Sequence, residues 1–450
     1  MLTAGFAHVD ITPPIGCTMA GYAGRVHPAT GVADPLFCRT LVLERAGERL
    51  AVVGTDLIGI DAELAQAVRG LAHRECGIPA DSILVAGSHT HWGPAIRPTG
   101  YLPELDGFVR PEYADELAMK LAMSVVLAHH RRQPARVGVG CGWNPLISYN
   151  RRPLNANGEC VTTFAAPEPV AAWAAAGGAV QAAERLGLHQ GAAGGWLPFR
   201  PPGDPEGRAW GPTDPSVPII RVEGERGTLG GVVSFACHPV CGAGEATFYD
   251  LSADYPGAMQ SLLTQALGCP VVFTLGCAGD QVPVVRGPGS RERIGRSLAA
   301  EVLRVWESLP LEDDLPLAAA RVEFELPIKD FGAMETPAGG DSQAQYLRHL
   351  IGKHAGQSTF AAEVQALRVG DLALISLPGE IFAEIGLRIR CGSPLPHTMP
   401  VTVANGYAGY IGTAEAYAQG GYEVTWNIAA PAAAETLIEA AFRALAAVAS

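Results

Sequence analysis

The chain has 450 residues, 48% hydrophobic and 17% charged, with a formal net charge of −13. That apolar content can bury a sizeable core, while the acidic balance excludes a nucleic-acid binder, which needs a basic face, and gives no support for an anionic membrane surface. The start, MLTAGFAHVDITPPIG, has no basic region followed by an apolar one, and no stretch of about eighteen unbroken apolar residues occurs. Neither a signal peptide nor a transmembrane helix is therefore expected, and the expected location is cytoplasmic.

In chain order, aliphatic or β-branched runs bounded by Gly, Pro, Asn or Asp predict strands at 39–45, 49–60, 83–88 and 135–143. Further strands are expected at 218–223, 231–238, 270–276, 318–327, 363–370 and 372–379. Helical patterns fall at 62–75, 112–131, 254–267, 290–308, 381–390 and 431–448. Some strands follow one another and others alternate with helices, which points to an α/β fold with mixed sheets and flanking helices rather than a strict (β/α)8 array. No linker divides the chain, so 1–450 is read as a single domain. Residues 154–213 interrupt the pattern with an Ala-rich segment (168–186) and then GGWLPFRPPGDPEGRAWGP. Such a segment is either a lid or specificity loop or a plain surface insertion, and composition leaves both open. The ten cysteines show no C-x-x-C spacing, and most are expected to be small buried side chains.

The run ILVAGSHTHWGP, residues 83–94, ends on two of the twelve histidines, His89 and His91. In an extended chain, side chains two apart leave from one face, so a metal site or an acid–base pair at a strand mouth is indicated. His238 ends GVVSFACHP, Asp280 ends VVFTLGCAGD and Glu380 ends LALISLPGE. Lone polar groups after buried strands collect at one edge of a sheet, where α/β folds hold their sites. Taken singly, each such group is more readily a cap or turn former, Asp280 in particular.

GSHTHWGP resembles the HTHSGP motif of the neutral ceramidase family, zinc-dependent amide hydrolases. In the family's order follow VDITPPIG with MAGY, then YNRRP (149–153), FACHP (235–239), CAGD (277–280), LPGE (377–380) and NGYAGYIGTAEAYAQGGYE (405–423). The resemblance implies a core of layered mixed β-sheets with flanking helices. It implies that His89, His238, Glu380 and Tyr410 hold Zn2+, and that His91 is an acid–base group rather than a ligand. Arg151 and Tyr422 fall where the family faces the substrate carbonyl. A tyrosine ligand is not what the residues alone suggest, since the usual zinc donors are Cys, His, Asp and Glu. The implied reaction is hydrolysis of an amide by metal-activated water, with Arg151, His91 and Tyr422 stabilising the oxyanion. The implied partner is a small N-acyl or amide compound; a homo-oligomer is left open.

The sequence departs from the family on the substrate side. NRSP is NRRP here, GDVSPN is GDQVPV, and Trp92 stands where a small residue is usual. Ceramide is therefore not the expected substrate. Trp92, Arg152, Asp280 and Tyr407 are candidate pocket residues, with Arg200 and Trp210 from the insertion. A narrower, more polar pocket for a compact or anionic N-acyl compound is expected. The C-terminal β-sandwich domain of full-length ceramidases is expected to be absent from these 450 residues. One rival is an amidohydrolase (β/α)8 barrel using His189, His238 and Asp280 beside the H-x-H pair, which leaves 405–423 unexplained. Another is a ligand-binding scaffold without catalysis. Ester or lactone hydrolysis is not separable from amide hydrolysis by these residues.

Overall fold

The structure, a computed structural model, describes residues 1–98, 103–176, 204–242, 244, 246–335 and 342–450. The larger of its two main sheets has eight strands. In spatial order they are Val271–Leu275, Gly227–Phe235, Ser216–Gly224, Gln133–Trp143, Thr3–Asp10, Phe37–Arg45, Glu48–Thr55 and Ile83–Gly87. The pairs at its two edges are parallel and the rest antiparallel. The smaller sheet orders Leu317–Pro327, Thr359–Val369, Leu372–Ser376 and His397–Val401.

Alternation along the strands explains why the two sheets face each other. Leu41 and Leu43, Leu50 and Val52, and Leu84 point into a core shared with Leu367, Leu372, Leu374 and Met399 of the smaller sheet. Their neighbours Val42, Ala51, Val53, Ile83 and Val85 point the other way, onto the helices Ala62–Cys76 and Pro111–His130. In the smaller sheet Ala373 and Ile375 turn outward onto the helix Ala433–Ala449 through Leu437, Ala441 and Leu445. A period of two thus buries both faces of each sheet, which is why these strands read as near-continuous apolar runs. Each buried Leu or Val contributes roughly 1.5–3 kcal/mol. The helices Asp254–Leu267 and Ser290–Trp306 cover the remaining outer face.

The large sheet curls until its edge strand Val271–Leu275 touches Glu48–Thr55 and Ile83–Gly87. Gly54 permits this approach, because a Cβ there would stand 2.7 Å from the Phe273 carbonyl oxygen. Beyond the smaller sheet's last strand, Thr402 N donates to Leu275 O (2.8 Å) and Ala404 bridges Ala86. Gly276 N reaches Phe235 O at 3.0 Å and Leu377 N reaches Val401 O at 2.8 Å. The C-terminal ends of five strands from two sheets are laced together at one point, and the loops that follow them share one cleft.

All ten expected strands and six expected helices are present, most with shifted ends and Asp254–Leu267 at the expected bounds. The strand expected to run to residue 60 stops at Thr55, because the Asp56 carboxylate takes the Phe37 amide and the Arg39 guanidinium and turns the chain. Of the 154–213 segment, the helix Glu168–Ala175 forms, whereas 177–203, including His189 and Arg200, lie outside the described residues. Its two described ends are fastened beside Arg151, by Leu154 N to Ala209 O (2.6 Å) and Thr163 N to Arg151 O (2.8 Å). The ten cysteines are unpaired. Among the described residues no helix is long and apolar enough to cross a membrane.

Candidate metal centre

His89 does not continue its strand. The strand ends at Gly87, and His89 has φ 68, a left-handed conformation rare for a residue with a Cβ. Its amide donates to Leu57 O (2.8 Å), and Thr90 Oγ1 donates to Ser252 O (2.7 Å), so the turn is held from two sides. Backbone strain of this kind persists where the surroundings over-determine it, characteristically at functional sites. The two rings do converge, with centroids 4.9 Å apart, but through a turn rather than an extended chain.

Three donor atoms meet in a buried space. Glu380 Oε2 stands 3.2 Å from His89 Nε2 and 3.1 Å from His238 Nε2. His91 Nε2 lies 3.4 Å from His89 Nε2. The tautomers follow from the other ring nitrogens. His89 Nδ1 is 2.5 Å from Ile58 O and His238 Nδ1 is 2.6 Å from Ala278 O. A carbonyl only accepts, so both Nδ1 atoms carry the proton and both Nε2 lone pairs face the carboxylate. His91 differs, because its Nδ1 is buried without a hydrogen-bond partner among the described residues, and no carbonyl of theirs fixes its tautomer. The ring rests on Gly21, where a Cβ would come within 2.6 Å of His91 Cγ.

Glu380 is itself oriented. Its two-residue strand pairs with Tyr410–Ile411, so Glu380 and Tyr410 are register partners, and Tyr407 Oη donates to Glu380 Oε1. Burial acts to raise the Glu380 carboxyl, whereas positive charge at the facing nitrogens, on the His89 side first, acts to hold it well below the usual range. Burial and Arg151 depress His238 to about 4. Burial and then Glu380 raise the Tyr410 phenol, while Arg151, whose Nη2 donates to Tyr410 Oη at 3.1 Å, opposes the rise.

Arg151 is a fixed cation. Burial works against its charge, but Tyr410 and Glu423 outweigh that and raise it above its ordinary value. Its Nε binds Glu423 (2.7 Å) and its Nη2 binds Gly279 O (2.9 Å) and Tyr410, leaving Nη1 uncommitted. Tyr422, 36% exposed, stands edge-on to Tyr410 at 5.9 Å and to Phe164 at 5.5 Å.

Four expected pocket residues are placed differently. Arg152 is buried and spent on Glu423 (2.5 Å), Ala416 O (3.3 Å) and Gly420 O (2.6 Å), which makes it a clamp on the 410–423 loop. Trp92 is fully buried, edge-on to Tyr22 (5.3 Å) and beneath Arg291. Asp280 accepts from Ala383 N (2.8 Å) and Asn150 Nδ2 (2.7 Å), and burial pushes it up to about 6. Trp210 is buried against Tyr149, with its Nε1 on Asp204 (2.9 Å). None of the four faces open space as the sequence reading expected; Tyr407 does, being 39% exposed. Sequence reasoning did not single out Glu423 or Tyr22. The first had a signal, since two adjacent arginines entering an apolar fold need a carboxylate.

The donor set fits a divalent metal. Lone pairs of two imidazoles and a carboxylate aimed at one another repel unless a cation lies between them, and the Nδ1–carbonyl bonds are the outer contacts that orient metal-binding histidines. His89, His91 and His238 also form a group whose ligand nitrogens all lie within 4.8 Å of one another.

Comparison with known proteins bears on this arrangement. The family model "Neutral/alkaline non-lysosomal ceramidase, N-terminal" matches residues 2–155. The crystal structure of neutral ceramidase from Pseudomonas aeruginosa is similar with a TM-score of 0.71 at 19% identity, covering 100% of this chain and 75% of that one. The chain has the neutral ceramidase fold. A ceramidase complexed with C2 is similar with a TM-score of 0.70 at 18% identity, over 98% of this chain and 74% of that one. The layered mixed sheets with flanking helices agree with the fold expected from the sequence and set aside the (β/α)8 alternative. The ceramidase match and fold suggest a hydrolase. The ceramidase-like motifs beyond residue 155 meet those before it in one cleft, since His238, Glu380 and Tyr410 close on His89 and Arg151.

Proposed function

We propose that this chain is a zinc-dependent amide hydrolase acting on an N-acyl compound. The observation that carries the reading is the meeting of the His89 and His238 Nε2 lone pairs with Glu380 Oε2, at 3.2 and 3.1 Å. His89, His238, Glu380 and Tyr410 would hold the metal. Two imidazoles and a carboxylate are a common catalytic zinc set, and the Arg151 hydrogen bond to Tyr410 favours the phenolate that ligation requires. When bound, zinc supplies a Lewis acid for the carbonyl and lowers the pKa of water to about 7.

The chain's own groups do the rest. His91, with Nδ1 unattached, exchanges a proton at Nε2 and delivers it to the leaving amine. Arg151 Nη1 and the Tyr422 hydroxyl donate to the oxyanion, and Arg151 needs no reorganisation because Glu423 already fixes it. Tyr407 keeps Glu380 in its ligand orientation.

The test is metal content by elemental analysis, on wild type and on the His238→Ala, Glu380→Ala double variant, with circular dichroism as the check of folding. About one zinc per chain, lost in a folded double variant, is expected. N-acyl amide hydrolysis should vanish on chelation and return with zinc. A folded wild type that takes up no zinc when it is supplied sinks the reading.

A further inference from the structure

Arg286 lies between the strand Gln281–Pro283 and the helix Ser290–Trp306. That strand pairs with Ser148–Asn150, directly before Arg151. Gly287 N donates to Cys241 O (2.8 Å), fastening the Arg286 loop to the loop that follows His238. Three loops, bearing Arg286, Arg151 and His238, are therefore neighbours.

Within the Arg286 guanidinium, Nε and Nη2 are buried, and neither has a hydrogen-bond partner among the described residues. Those two N–H groups form one edge of the fork, spaced to meet the two oxygens of a carboxylate. Two other arginines here use that edge in this way. Arg208 holds Asp204 through Nε and Nη2, each at 3.1 Å, and Arg304 holds Glu301 at 2.8 and 2.7 Å. Arg286 presents the same edge without a carboxylate of the described residues on it. A buried donor left unmatched is costly, so the edge calls for a ligand.

A second unmatched donor stands nearby. The Tyr22 hydroxyl is buried with no partner among the described residues. Its ring meets His91 edge-on at 5.2 Å, and burial raises the phenol while Arg286 is the foremost charge opposing the rise. Tyr22 therefore touches the proposed proton carrier and lies in the field of Arg286.

We propose that the Nε/Nη2 edge of Arg286, together with the Tyr22 hydroxyl, binds a carboxylate on the substrate, making the preferred substrate class N-acyl amino acids rather than neutral lipid amides. The inference rests on the hydrolase reading and names its substrate. It also replaces the Arg152, Trp92 and Trp210 pocket with a single cation on a loop fastened to the one that follows His238. An acyl amino acid places its carboxylate on the carbon next to the scissile nitrogen, so the anion and the reacting amide are bound together.

The experiment compares N-octanoylglycine with its neutral counterpart N-octanoylglycinamide, using zinc-loaded wild type, Arg286→Ala and Arg286→Lys. Wild type should prefer the acid. The ratio of kcat/KM, acid over amide, should fall about 10- to 100-fold in Arg286→Ala, carried by KM. Arg286→Lys, with charge but no fork, should recover only part of it. A wild-type ratio near one, or a ratio that the substitutions leave alone, overturns the proposal while the hydrolase reading stands. If wild type cleaves neither compound, the hydrolase reading has failed. Calorimetric binding of N-octanoylglycine to wild type and Arg286→Ala then decides the grip: weaker binding in the variant sustains it and equal binding overturns it.

Discussion

Glu423→Ala probes the buried charges behind the cleft. Glu423 is fully buried between two arginines, 2.7 Å from Arg151 Nε and 2.5 Å from Arg152 Nη1, and those side chains are only 4% and 5% exposed. Burial would raise its carboxyl, but Arg151 and Arg152 outweigh that and keep it ionised. Removing it leaves two guanidinium groups without their counter-charge in a space water does not reach. Breaking such a pair costs about 3–5 kcal/mol, a large part of a typical stability of about 5–15 kcal/mol. The internal control is Arg388–Glu435, bidentate at 2.7 and 2.7 Å but with side chains 36% and 63% exposed. Solvent screening there limits Glu435→Ala to about 0–1 kcal/mol. Urea unfolding followed by circular dichroism measures both. Glu423→Gln keeps one acceptor oxygen and should fall between them. A Glu423→Ala loss no larger than that of Glu435→Ala would refute the reasoning that burial, not geometry, decides the strength of these pairs.

Three other perturbations separate the parts of the site. Tyr407→Phe removes the hydrogen bond that orients Glu380 and should weaken zinc binding by about 10- to 100-fold with little change in folding, as read by chelator competition. Gly21→Ala puts a Cβ 2.6 Å from His91 Cγ at φ 96. The displaced imidazole should lower kcat on the order of 10²-fold while zinc content is kept. Glu384 supplies a pH dependence away from the metal, since burial, then Glu415 and Asp280, raise it from 4.5 to about 7. The folded state holds that proton more tightly, so the added stability is fully present below pH 4.5 and lost as pH rises through about 7. Unfolding free energy should thus decline by at most about 3 kcal/mol across that window, and the decline should flatten in Glu384→Gln.

The strands that stand out most plainly in the sequence are those buried on two faces. Val271–Leu275 and Leu372–Ser376 are buried at every position, so their apolar runs stand out without any partner being known. Thr3–Asp10 was not singled out, because its second half, with His8 and Asp10 exposed, breaks the apolar run. Nor was His397–Val401, a strand that opens on a histidine and holds a proline; its place comes from pairing in parallel with Leu372–Ser376. Tertiary pairing supplied what local pattern lacked.

At the site the division runs between backbone position and side-chain direction. His89, His238 and Glu380 were legible because each is the first ionisable carboxylate or imidazole after a buried strand, a position the chain order alone reveals. Where a loop side chain points was not legible. Trp92 adjoins His91 yet is buried in the core, and the argument that brought His89 and His91 to one face assumed an extended chain where φ is 68. Partners far apart in sequence were also hidden: Glu423 is 272 residues from Arg151 and 271 from Arg152. Arg152, read alone, is an arginine free to meet a substrate. Read with Glu423, it is a brace. Arg286 inverts the case, since in VVRGPGS it reads as a turn residue, and only the structure reveals that its carboxylate-binding edge is buried and unmatched. The charge that selects a substrate is thus better sought among arginines the fold leaves unpaired than among those a motif makes conspicuous.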